Sequence, residues 1–315
     1  MIDRRDFISG LGVVGSMSAM PSFGEQAKEP AAAVRFGVVS DLHYGDIPGE
    51  TKPFKLDGQR FCRESKRKLA EAVRVFNGHK MDFAVELGDF KDFSRDRETT
   101  LKYLEDIEGA FSRFRGPRYH VFGNHDFDCL TVDDLAPRML NDGKRMTSGH
   151  YSFAVNGILF VVLDACYDSR MVHYAANNPW FDANVPPDQV AWLESELAAA
   201  KGPAVVFCHQ RLDPSASPRY LVRNAAEIRD VIERSGKVKA VFTGHQHMGS
   251  VYEHNGVLYY TVVAQVMDSG PRANSFAEVF VYADGSVRVT GYFNAVSYGS
   301  AKGDPSACRD GEPAA

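Results

Sequence analysis

An α/β fold with mixed sheets and helices packed outside them is what this sequence predicts, on two observations. Five short apolar β runs are separated by helical segments, the pattern of parallel βα units. Two further pairs of apolar runs are joined by Asn-Gly, the dipeptide of a tight hairpin. Parallel units and hairpins in one chain require both kinds of strand neighbour. With no internal repeat and no linker-like stretch, one domain is expected over residues 34–296, followed by a tail over 297–315.

The first β run is 34–40, and it ends in a polar turn. Residues 59–77 have helical periodicity, with Leu69, Val73 and Phe76 on one face. Further β runs follow at 82–87, 118–122, 204–208 and 238–243, with helices expected over 99–114, 187–200 and 224–235. The hairpins are 151–155 with 158–163 across Asn156-Gly157, and 251–253 with 257–263 across Asn255-Gly256. A last hairpin turns around Ala283-Asp284-Gly285.

The N-terminus reads differently. Arg4-Arg5-Asp6-Phe7-Ile8 precedes a mildly apolar stretch over 9–20, which has the form of a twin-arginine export signal. The stretch is short of the ~18 apolar residues that make a membrane helix, so residues 1–27 are expected to be a signal peptide and no stable membrane span is expected anywhere. Export through the twin-arginine machinery would place the protein in the periplasm or outside the cell.

Composition removes several classes of function. At 44 % hydrophobic and 24 % charged residues, the 315-residue chain can bury a sizeable core and is neither collagen-like nor disordered. A net charge of −5 gives no basic stripe, so nucleic acid is not an expected partner. An anionic substrate would therefore need a locally positive site. The five cysteines are odd in number, widely spaced and without a CxxC pair, which argues against a disulfide scaffold or a zinc ribbon.

The chemistry sits at the predicted strand ends. Asp41-Leu42-His43 follows the first run, Gly88-Asp89 the second, Gly123-Asn124-His125-Asp126 the third, His209 the fourth and Gly244-His245-Gln246-His247 the fifth. Carboxyl ends of strands in an α/β sheet open into one crevice, so these residues can converge. Asp41 and His43 are two apart and can point to the same side, and His245 with His247 repeats the device. Any one motif alone is a weak signal, and a lone histidine is most often a packed or surface residue. Five in order, each at a strand end, are strong. Two carboxylates, an amide oxygen and four imidazoles suit a pair of divalent or trivalent ions such as Mn, Fe or Zn, with no choice among them.

In this order and at these separations, DLH, GD, GNHD, the lone histidine and GHQH resemble the calcineurin-like metallophosphoesterase superfamily. The resemblance implies a four-layer α/β/β/α sandwich with two mixed sheets and a binuclear metal centre. It implies Asp41, His43 and His247 on the first metal, Asn124, His209 and His245 on the second, and Asp89 as the bridge. His125, with Asp126 behind it, is similar to the superfamily's histidine that contacts substrate phosphate.

Elementary chemistry agrees with these roles. A carboxylate is a low-cost bridge between two cations, which make hydroxide available near neutral pH. His125 would act as general acid toward the leaving oxygen, with Asp126 orienting its ring. Asp92 stands where purple acid phosphatases carry a tyrosine ligand, so a purple centre is not expected. The segments 60–65, 68–73 and 86–92 are similar to the manganese-dependent ADP-ribose/CDP-alcohol diphosphatase branch.

The expected function is hydrolysis of a small phosphodiester, pyrophosphate or phosphomonoester by attack of a metal-bridging hydroxide. The alternative is an exported, metal-bearing protein that binds phosphate-like ligands without turnover. The intact His125-Asp126 pair favours catalysis, because binding alone does not need an acid. Tyr44, Arg60, Arg63 and Arg211 are candidate substrate contacts, although Arg60 and Arg63 equally suit a solvated helix face. The aperiodic stretch 167–186, with Trp180 and Phe181, suits either an aromatic wall over the crevice or a loop tucked into the surface.

Overall fold

The computed structural model describes residues 31–47, 59–94, 96–176 and 179–299. The predicted export signal over 1–27 and most of the predicted tail lie outside the described residues.

Two mixed sheets organise the chain. The first contains β1 (Val34–Val39), β2 (Phe83–Glu86), β3 (Arg118–His120), β12 (Ser275–Val281) and β13 (Val287–Phe293), in the order β13-β12-β1-β2-β3. The second contains β6 (Tyr151–Val155), β7 (Ile158–Val162), β8 (Ala204–Phe207), β9 (Val238–Thr243), β10 (Ser250–His254) and β11 (Val257–Thr261), in the order β10-β11-β9-β8-β7-β6. β1, β2 and β3 run parallel, as do β7, β8, β9 and β11, whereas the hairpin partners are antiparallel. All five β runs and all three hairpins therefore form. The five runs divide between the two sheets, three and two.

The helices are α1 (Ser65–Gly78), α2 (Arg97–Phe111), α3 (Val132–Leu135), α4 (Pro187–Ala199) and α5 (Ala225–Ser235). Three differences from expectation have local causes. The predicted helix over 59–77 begins late, because Arg60 makes a β-bridge with Met267 and a single 3-10 turn, Cys62–Glu64, precedes α1. α2 begins early, because the Asp96 carboxylate accepts a hydrogen bond from Thr99 N at 2.7 Å and caps it. The small hairpin of β4 (Leu140–Asn141) and β5 (Lys144–Arg145) carries no apolar alternation and was not expected. At the far end, Tyr298 exchanges backbone hydrogen bonds with Val289 of β13, so the sheet's pairing continues two residues past the predicted limit at 296.

Strands buried on both faces explain the near-continuous apolar runs. In β7, Ile158, Phe160 and Val162 face the other sheet while Val161 packs toward α4 and α5. In β1, Val34, Phe36 and Val38 join that same inter-sheet cluster while Val39 packs with α1 and α2. One apolar cluster therefore lies between the sheets, and helices cover the outer face of each. Phe36 is at the centre of the inter-sheet cluster, stacked on Phe83 at 4.9 Å and edge-on to Phe160, Phe207 and Phe242 at 5.6–5.8 Å.

Cys62, Cys129, Cys166 and Cys208 are free thiols. Among the described residues no helix is long and apolar enough to cross a membrane.

Replacing Phe36 by Ala removes a fully buried ring that touches both sheets. The expected loss is about 3–5 kcal/mol of stability, read from urea unfolding of the variant beside the parent. A loss below about 1 kcal/mol would show that the sheets do not depend on this contact.

Candidate metal centre

The strand-end loops are tied to one another by backbone hydrogen bonds before any side chain is considered. Asp41 N donates to Gly88 O, His43 N to Asp89 O, Gly244 N to His209 O and Ala264 N to His247 O, at 2.8–3.1 Å. This lacing turns loops from both sheets toward one point. Its cost is visible at Asp41, His43, Asp89 and His245, which all adopt left-handed backbone with φ between 45 and 65°. Non-glycine residues avoid that region, and such strain clusters at functional sites. Two glycines make the approach possible. A Cβ on Gly123 would overlap the Asp89 backbone nitrogen and carboxylate, and one on Gly244 would overlap Ser40 Oγ and the Asp41 carboxylate.

The side chains form two triads joined through one carboxylate. Asp41, His43 and His247 make the first and Asp89, His209 and His245 the second; within each, the three donor atoms lie within 4.8 Å of one another. Asp89 Oδ2 is 3.5 Å from His43 Nε2 and 3.2 Å from His209 Nε2, so it faces both groups. His43 Nε2 and His247 Nε2 are only 3.2 Å apart. Asn124 Oδ1, His209 Nε2, His245 Nε2 and His247 Nδ1 are buried without a hydrogen bond. Buried polar atoms left this way are costly unless something else binds them. The donor set of carboxylate, imidazole and amide oxygen fits borderline first-row cations, and the orphaned atoms supply the lone pairs such ions take.

The electrostatics favour the ligand form at three of the four triad histidines. At the fourth, His209, burial lowers the pKa but Asp89 and Asp41 outweigh it and push it up to about 10, so a cation there would displace a proton. Burial, reinforced by neighbouring imidazoles, pushes His245 and His247 well below the usual histidine range, and burial together with the Arg60 cation pushes His43 down to about 4. All three are then neutral, the state that donates a lone pair. Burial alone would raise Asp89, but the charges of His209 and His125 hold its carboxyl well below the ordinary range. His209 Nδ1 donates to Leu87 O at 2.7 Å, which turns Nε2 toward Asp89.

His125 stands beside this centre, with its ring 5.0 Å from that of His43. Its Nδ1 is 2.6 Å from Asp128 Oδ2, so Asp128 orients the ring, and the expectation that Asp126 does so is corrected. Asp126 points inward and accepts from the backbone nitrogens of Asp89, Phe90 and Gly123 at 2.8–3.1 Å. In a 3-10 turn, the residue three along shares the face of His125, and Asp128 occupies that place. Burial lowers His125, but Asp89 and Asp128 outweigh it, so its pKa is raised.

Each of the predicted substrate contacts has a partner of its own. Tyr44 packs against Tyr103 at 6.0 Å, with Lys66 Nζ 5.9 Å from its ring. Arg63 pairs with Asp46 at the surface. Arg60 Nη1 lies 3.3 Å from His43 Nδ1 and 3.5 Å from Asp92 Oδ2, behind the first triad. Arg211 is buried and pairs with Asp213 at 2.7 Å, while also reaching Gln246 between the two histidines of the last motif. The 167–186 stretch contributes Trp180, whose ring is 5.6 Å from that of His245, with the Arg219 guanidinium 4.9 Å from the Trp180 ring centre.

Residues 34–249 match the family model for the calcineurin-like phosphoesterase. The chain belongs to this family. It is 30 % identical to the manganese-dependent ADP-ribose/CDP-alcohol diphosphatase of Oryza sativa subsp. japonica, over 87 % of this chain and 92 % of the relative. Its identity to the Arabidopsis thaliana diphosphatase of the same name is 26 %, over 82 % of this chain and 94 % of that one. A solved dimetal phosphatase from Danio rerio shares the fold, with a TM-score of 0.73 at 21 % identity, covering 82 % of this chain and 96 % of the other. This calcineurin-like phosphoesterase is a metal-dependent hydrolase of phosphoester bonds, and the reading as a binding protein without turnover falls away.

Because Gly123 abuts Asp89, Gly123→Ala is expected to weaken metal binding, probed with Mn²⁺, by about 10–100-fold, comparable to loss of a residue that supports a metal ligand. Calorimetric titration of chelator-treated protein checks this, and unchanged affinity would remove the role assigned to the close approach.

Proposed function

We propose that this hydrolase works with two metal ions, manganese among those it accepts. Asp41, His43 and His247 would hold one ion, Asn124, His209 and His245 the other, and Asp89 would bridge them. The observation that carries this reading is the position of Asp89 Oδ2 within 3.5 Å of a histidine from each triad. Manganese is favoured by the name of the plant relatives. When bound, the ions would supply an ionised water near neutral pH and neutralise charge on the phosphate oxygens.

The chain's own residues do the rest. Asp89 remains ionised and anchors both halves of the centre. Since Asp128 engages Nδ1 of His125, Nε2 is the nitrogen left to give a proton to the departing oxygen. Asp126 holds the backbone of Asp89 and of the 123–126 turn together, and so keeps acid and bridge in register. The substrate is a small phosphorylated molecule. A pyrophosphate-linked nucleoside compound is favoured by the relatives' named activity and by the Trp180 ring beside His245, which offers a base a surface to stack on.

Chelated protein reloaded with Mn²⁺, Fe²⁺ or Zn²⁺ is expected to take up two ions per chain and to hydrolyse ADP-ribose faster than an aryl monophosphate. His125→Ala should lower turnover by about 10²–10⁴-fold with metal content unchanged, whereas Asn124→Ala and His209→Ala should lose metal. Full activity with one ion per chain would overturn the two-metal reading.

We also propose that residues 1–27 direct twin-arginine export of the folded protein, on the support of Arg4-Arg5 and the apolar stretch that follows. Fractionation of an export-competent bacterium expressing Arg4→Lys/Arg5→Lys should find the protein retained in the cytoplasm. An unaltered periplasmic location would count against this route.

A further inference from the structure

Lys91 is fully buried two residues beyond Asp89, a costly place for an ammonium group. Its Nζ donates to two backbone carbonyls of the neighbouring loop, those of His125 and, at 3.1 Å, Asp128. Those are the residues that carry the candidate acid and the carboxylate that orients it. The same loop is held at its other end by His125 N, which donates to Asp89 Oδ1 at 2.7 Å. The loop is thus fastened to the Asp89 segment at both ends of the acid's own peptide units. Tyr44 pairs with Lys91 in a backbone bridge, which fixes the base of the lysine stem.

The geometry points to Lys91 and Asp128 as positioning residues for proton donation: Lys91 fixes the backbone that carries His125, and Asp128 fixes its ring. This rests on the reading of His125 as the general acid. Neither residue touches substrate. Removing the ammonium leaves two carbonyls without their donor and frees the loop to shift, and small misplacements of a catalytic group are expensive in rate.

The test uses aryl and alkyl phosphodiesters graded by leaving-group pKa, with full-length, Mn²⁺-loaded protein. A good leaving group departs without an acid and a poor one does not. Lys91→Met is expected to slow the poor leaving groups by about 10–100-fold, part of what a general acid contributes, and the nitrophenyl ester by less than about 3-fold. The dependence on leaving-group pKa therefore steepens while metal content stays at the parent's value. Lys91→Arg, which keeps charge and donors, should recover part of the shallow slope. In a His125→Ala background, Lys91→Met should add less than about 3-fold, because both changes act through one group.

An equal loss across all leaving groups, or a full additional loss without His125, would overturn the assignment. Asp128 lies near the surface, so Asp128→Asn remains available if Lys91→Met does not fold, and it should give the same steepening. An unchanged slope there overturns the assignment as well. Failure of His125→Ala itself to steepen the slope would instead reject the acid role on which the inference rests.

Discussion

The structure is organised around a carboxylate that two sets of histidines must share. Asp89 lies between His43 and His209, and hydrogen bonds at its side chain and on both sides of its backbone hold it there. Its Oδ1 accepts from His125 N, its backbone nitrogen donates to Asp126, and its carbonyl accepts from His43 N. Without cations, this arrangement brings imidazole nitrogens to 3.2 Å and leaves several buried donor atoms orphaned. A protein interior does not choose such a grouping for its stability. The rest of the fold supplies the rigidity that keeps the groups together.

That rigidity comes from the inter-sheet core. Four ligand-bearing residues hold left-handed backbone, each costing about 1–3 kcal/mol. Strain of this kind persists only when the surroundings over-determine it. Phe36, Val38, Phe83 and Val85 lead directly into the Asp41 and Asp89 turns, while Phe207 and Phe242 lead into His209 and His245. The rings that lock the two sheets together are therefore a few residues from the strained turns that follow β1, β2 and β9. Packing and chemistry are coupled through short lengths of strand.

Much of this was legible in the sequence, and the reason is periodicity. Strands buried on both faces give apolar runs of fixed length, and Asn-Gly marks two reversals. The polar residues that end those runs stand out against them, which is why Asp41, His43, Asp89, Asn124, His209, His245 and His247 could be singled out before any coordinates. What spacing does not carry is direction. Asp126 is adjacent to His125 in sequence, but consecutive residues point different ways, and Asp128 three along shares its face. Arg211 follows a ligand and is basic, which suits a phosphate contact, yet Asp213 two residues on claims its guanidinium. A charged side chain in a turn carries no sequence mark of whether it faces the crevice or braces the turn from behind.

That distinction also changes how the acidic composition is to be understood. The net charge of −5 made an anionic substrate look unwelcome. Around the metal centre, however, Asp92, Asp126, Asp128 and Asp213 each have a structural partner: Arg60 beside Asp92, backbone nitrogens at Asp126, His125 at Asp128 and Arg211 at Asp213. These carboxylates are engaged in fixing loops. The carboxylates left to face the crevice are those of the two triads, Asp41 and Asp89, and cations bound there would reverse the local sign. An acidic chain can thus present a phosphate-attracting site, because most of its nearby negative charge is spent on holding the ligands in place.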